Sequence, residues 1–157
     1  MSTTSEFYDM ALLAEASYVH FDEIDGFNKD TGDVEAPSGL IRTDRIKTAL
    51  QNDNFEGNLS STQAEEFVKT WDLVYHGPNT DTGFSTTLFQ NKFTGEYVYS
   101  LRGTEERDLD LFSADYGDIV TDGLAIKQIV DMYNDWQRIN STGVYQAADL
   151  EAVRDVV

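Results

Sequence analysis

The run Tyr99-Ser-Leu-Arg-Gly-Thr-Glu105 reads as an apolar strand that ends in a glycine and a small hydroxyl residue. In open α/β sheets, ligands sit just outside the carboxyl ends of the strands. An N–H and a hydroxyl from Thr104 at such an edge would stabilise the anionic intermediate of acyl transfer. Taken alone, Arg102-Gly103-Thr104 equally describes a strand-to-loop turn in which Gly103 supplies a permissive φ. The other residues that could do acid–base work are two histidines, His20 and His76. His20 falls at the end of a first helix and His76 in a turn-like His-Gly-Pro-Asn-Thr string. Neither has a serine and an acid at a recognisable spacing, so both read as surface or helix-end residues and not as the base of a self-contained triad. No cysteine is present, which removes the thiol nucleophile, the thiolate zinc site and the disulfide scaffold together. The nucleophile elbow G-x-S-x-G is absent, and the nearest string, Gly83-Phe-Ser85-Thr-Thr87, lacks the second glycine.

Composition bounds what these residues belong to. The chain has 157 residues, 40% hydrophobic and 12% aromatic, enough to bury a core. Its 29 acids and 11 bases leave a formal net charge of −18, which disfavours nucleic acid and anionic lipid as partners. No apolar run approaches the roughly 20 residues that span a bilayer. The polar start MSTTSEFYDM lacks a basic n-region and an apolar h-region, so no Sec-type leader is expected. An extracellular location would then be reached by a non-Sec route, with the cytoplasm as the alternative.

The elements that must position the chemistry follow from periodicity. Phe7, Ala11, Ala14 and Tyr18 form a helical stripe over residues 6–19. Residues 20–35 carry six acids with nearby glycines and a proline and read as a solvated loop. Asn28, Asp30 and Asp33 do not follow the EF-hand ligand order, so the loop is not assigned a metal, although calcium is left open. Residues 44–51 suggest a short helix. Thr62 and Glu65 suggest a capping box for another, with Ala64, Phe67, Val68 and Trp71 as its apolar face. Residues 84–90 and 96–102 flank the turn NKFTG and predict a hairpin. The second strand is apolar on both faces and is expected inside the sheet. Ala125, Ile129, Met132, Tyr133 and Trp136 mark a long helix over residues 122–138, and Ala147, Leu150, Val153 and Val157 mark a last one.

In this order the elements resemble the class 3 lipases, in which a hairpin strand ends in R-G-[ST] and is followed by D-W-x-x-D. The matching residues are Arg102-Gly103-Thr104 and Asp118-Ile-Val-Thr-Asp122, with Ala11 to Tyr18 similar to the family's opening helix. Ile119 stands where the family has tryptophan, and the intervening loop is longer. The resemblance implies an α/β fold, with residues 1–157 as the N-terminal portion of an α/β-hydrolase and a mixed sheet covered by helices. It implies that Thr104 is the oxyanion-hole residue, supported by Gly103 and Asp118. Arg102 would pair with a carboxylate, best Asp122; the alternative for Arg102 is a solvated strand-end charge. Chain order in such hydrolases is Ser, Asp, His, which puts the nucleophile and the rest of the triad downstream of Val157.

Residues 105–122 hold seven acids together with Leu109, Leu111, Phe112 and Tyr116, the composition of a lid or cleft loop. The expected function is hydrolysis of lipid-type carboxylic esters, completed by the missing C-terminal part of the same hydrolase and needing no cofactor. The competing expectation is a non-catalytic acidic interaction domain, such as a nucleic-acid mimic. The acids lie in loops and on helix faces and not along one line, which suits solubility in a saline environment better than mimicry.

Overall fold

The computed structural model describes residues 4–77, 80, 83–102 and 126–140. The chain divides into two compact units, one of residues 1–78 with 85–102 and one of residues 79–84 with 103–157.

In the first unit, helix α1 (Thr4–Ala16) is followed by a 3-10 turn at Phe21–Glu23 and a two-residue ladder, β1 (Phe27–Asn28) with β2 (Asp33–Val34). Helix α2 (Gly39–Ala49) begins earlier than its periodicity suggests, because Ser38 is the N-cap: its Oγ accepts from the Ile41 N–H at 3.3 Å. Helix α3 (Ser61–Thr70) starts at a capping box formed by Ser60 and Gln63, two residues before the expected Thr62/Glu65 pair. Both pairs satisfy the sequence signature. The expected face of α3 is buried at Ala64, Phe67 and Val68. Trp71 is buried too, but as the first residue of strand β3 (Trp71–Gly77).

Strand β3 pairs antiparallel with β4 (Ser85–Asn91), which pairs antiparallel with β5 (Tyr97–Arg102), in the order β3-β4-β5. The β4–β5 hairpin is the one expected, and Gly95 closes its turn at φ +75°. One expectation is corrected. The described strands pair only antiparallel, in two small sheets, and not as a mixed sheet. Among the described residues β4 is the middle strand and β5 an edge, with Tyr97 and Leu101 exposed. Aromatic and β-branched enrichment marks a strand without saying how many neighbours it has.

The core lies between one face of this sheet and the helices. Phe89 at its centre meets Phe21 and Phe67 edge to face, at centroid distances of 6.5 and 5.3 Å. Helix α1 contributes Leu12, Leu13 and Ala16. The stripe read from the sequence lies on the opposite side: Phe7 is 66% exposed, and Ala11, Ala14 and Tyr18 are also exposed. A helix with apolar residues all round carries two candidate stripes, and packing chose the one with the leucines. Residues 20–35 are likewise more than a solvated loop, since Phe21, Ile24 and Val34 are buried in the same core.

In the second unit, helix α4 (Ile126–Asn140) confirms helical structure over most of the expected span. Thr80 Oγ1 donates to Asp131 Oδ2 at 2.9 Å, and Ile129, Tyr133 and Trp136 are exposed. The helix expected near Val157 lies outside the described residues. No helix among the described residues is long and apolar enough to cross a membrane.

Candidate functional site

One polar cluster is buried on the core side of the sheet, where β3 and β5 end and β4 begins. Its members are His76, Ser85, Thr87 and Arg102, all nearly inaccessible, with Asp22 at the margin. Register explains why they meet. Thr87 lies opposite His76 and Ser85 opposite Arg102, and both are on the same face of β4 as Phe89.

His76 owes its inward position to an irregularity. Leu73 lies opposite Phe89 and Tyr75 opposite Leu88, with a register shift between Leu73 and Tyr75. Simple alternation from Leu73 would point His76 outward; the extra residue at Val74 returns it to the core face. The sequence reading placed His76 in a surface turn, and this is corrected: it is a strand residue, 1% exposed.

The imidazole is engaged by Thr87 on β4 and by residues of the 20–35 segment. Its Nδ1 lies 2.9 Å from Thr87 Oγ1. Its Nε2 lies 3.4 Å from Asp22 Oδ1, a charge contact that lacks hydrogen-bond geometry. The Phe21 and Phe27 rings stand edge-on to it at 5.5 and 6.0 Å. Its main-chain N–H donates to Gly32 O at 2.6 Å. Gly32 has φ +65°, and a Cβ there would fall 2.3 Å from the Tyr75 ring, so the contact requires glycine.

Burial pushes the His76 pKa down, with Asp22 opposing and Arg102 adding to the downward push. The neighbouring imidazole holds the Asp22 carboxyl below its ordinary value, against the effect of burial. A carboxylate attracts a proton on the nitrogen that faces it, which favours the neutral tautomer with its proton on Nε2. Nδ1 is then the acceptor of the Thr87 hydroxyl. His20, half-buried, lies 3.8 Å from Glu23 and 4.0 Å from Glu56.

Arg102, the last residue of β5, is 4% exposed, and its Nη1 donates to Tyr18 O at 3.0 Å. Tyr18 lies just past the C-terminus of α1, where a cation meets the negative end of the helix dipole. The solvated strand-end charge considered for Arg102 is therefore excluded. The pairing expected with Asp122 concerns a residue outside the described ones, as do Gly103, Thr104, Leu109, Leu111, Phe112, Tyr116 and Asp118.

Chemically, hydroxyl, imidazole and carboxylate stand in the order of a general-base relay, an association that spacing in the sequence did not reveal. Thr87 and His76 are, however, closed to substrate as arranged, and Ser85 Oγ donates to Gly77 O at 2.7 Å. The cluster builds the sheet end and does not present a nucleophile.

The acidic loop is accounted for in part by a second network. Arg42 on α2 donates to Asp33, to Leu73 O and, at 2.7 Å, to Asp72. Asp33 is thus committed to a guanidinium, while Asn28 donates to Glu35 at 2.6 Å and accepts from the Asp30 N–H. Among the described residues no group of three or more His, Asp or Glu side chains is placed to hold a metal ion.

Compared with family models, with curated proteins and with solved structures, the chain matches none.

Proposed function

We propose that this chain is the oxyanion-hole portion of a serine ester hydrolase of the lipase or phospholipase A1 kind, within an α/β-hydrolase fold. The observation that carries the reading is the burial of Arg102 and its bond to Tyr18 O. That bond fixes the end of β5, from which Gly103 and Thr104 continue. An oxyanion donor needs such a fixed origin, because its value lies in being oriented before charge develops. The residue pattern Arg102-Gly103-Thr104 with Asp118 and Asp122 adds the family resemblance.

In this reading a serine on residues beyond Val157 attacks the ester carbonyl and expels the alcohol. The Thr104 N–H and hydroxyl hold the oxyanion of each tetrahedral intermediate, and water then releases the acid. In the same reading, residues 105–122 would serve as the lid or cleft loop for the acyl chain.

The test is hydrolysis of p-nitrophenyl esters of short and long chain by the protein extended past Val157, with and without Thr104→Val. The expected result is a fall in kcat of about 10²-fold or more in the variant. An unchanged kcat, or full hydrolysis by residues 1–157 alone, overturns the reading.

A further inference from the structure

Residues 20–35 close on His76 through four independent contacts, and each is sensitive to the state of the imidazole or to its position. The Gly32 carbonyl takes the His76 N–H, Asp22 faces Nε2, and the Phe21 and Phe27 rings enclose the ring. We propose that residues 21–34 form a proton-gated clasp, closed on neutral His76 and opened when the imidazole takes up a proton.

The closed arrangement rejects an imidazolium for two reasons. The first is charge. His76 is buried beside the Arg102 guanidinium, with His20 also near, and among the described residues Asp22 is the one acid at contact distance. Glu23 and Glu56 lie beside His20 and not beside His76. The second is hydrogen bonding. In the tautomer with its proton on Nε2, facing Asp22, Nδ1 accepts from the Thr87 hydroxyl 2.9 Å away, whereas Nδ1 of an imidazolium is a donor. The hydroxyl would have to reverse inside a site where Thr87 has no exposed surface.

When the clasp opens, the imidazole meets water and titrates near its ordinary value of about 6.5. Protons therefore favour the open form below that pH. The segment is suited to opening as a unit: β1 and β2 are two residues each, and docking rests on the apolar residues Phe21, Ile24 and Val34 together with the partly exposed Asp33–Arg42 ion pair. This inference is independent of the ester-hydrolase reading.

The test is residue-resolved amide hydrogen exchange on the full chain, corrected for intrinsic rates, between pH 7.5 and 5.5. Opening of residues 21–34 should rise severalfold, and at most about tenfold, relative to α3, as expected for uptake of one proton. His76→Gln should abolish the rise, and His20→Gln should keep it. If His76→Gln does not fold, NMR titration of the histidine rings in the unmodified chain should give His76 a midpoint below the ordinary histidine range. Equal protection at both pH values overturns the proposal. So does an undiminished rise in His76→Gln, or an ordinary ring titration of His76.

Discussion

The Arg102 guanidinium reaches across from the end of β5 to the carbonyl of Tyr18, 84 residues earlier in the chain, at 3.0 Å. This bond joins the end of β5 to the end of the first helix and gives a buried guanidinium a main-chain acceptor. Removing it strands the Tyr18 carbonyl and opens a space at the strand end. Arg102→Met should lower stability by about 1–3 kcal/mol in urea unfolding. A loss under about 0.5 kcal/mol would show the contact to be incidental.

Helix α1 provides a direct comparison of its two apolar faces. Leu13 is 1% exposed and Phe7 66%. Leu13→Ala should cost about 2–5 kcal/mol, and Phe7→Ser should stay within about 0.5 kcal/mol. The reverse ranking, measured by the same unfolding curves, would mean that the helix packs by the stripe of Phe7 and Tyr18.

Arg42 is the hub that binds α2 to β2 and β3. Its side chain is mostly buried, while those of Asp33 and Asp72 are more than a third exposed, so water screens part of each pair. Arg42→Met should therefore cost about 1–3 kcal/mol, less than loss of a fully buried pair. Asp33→Asn should cost less than Arg42→Met, because Asp72 and Leu73 O remain as partners; equal costs would argue against a shared hub.

The acid sensitivity of the fold has a defined sign. His76 titrates lower in the fold than in the unfolded chain, so the unfolded chain binds the proton first and stability falls as pH drops below about 6.5. Asp22 is also held low, so its contribution is present above the ordinary carboxylate range and is lost as pH falls through it. Unfolding curves at pH 7.5, 5.5 and 4 should show a first loss in the histidine range that His76→Gln removes. Asp22→Asn should reduce the second loss.

Ser60 accepts from the Gln63 N–H at 3.3 Å and opens α3. Ser60→Ala should cost about 1 kcal/mol and raise exchange in the first turn of α3, whereas Thr62→Ala should do neither. Equal effects would place the cap at Thr62.

Several of these features are legible in the residues. Ser60 and Gln63 follow a capping pattern, although the neighbouring Thr62 and Glu65 satisfy the same rule. The turn NKFTG between two β-rich runs marks the β4–β5 hairpin, because Asn91 and Gly95 impose local geometry at short range. Strand β3 was hidden: Trp71 continues the helical stripe of α3, and the glycine and proline after His76 resemble a turn. The candidate site was half visible, since Arg102 stood in a motif, while His76 and Asp22 shared no spacing that pointed to each other.

By itself, then, the sequence determined what short-range chemistry decides: helix starts at capping residues, a hairpin at its turn, a core-sized store of apolar residues, and a strongly acidic surface. Tertiary structure alone decided which stripe of α1 is buried, that β4 is the middle one of the three described strands, and that residues 20–35 dock on the sheet. It also decided that His76 faces inward. These outcomes depend on partners tens of residues away, and the register shift after Leu73 has no local signature. One extra residue in a strand reverses which side chains meet the core, and only pairing with β4 settles where that residue goes.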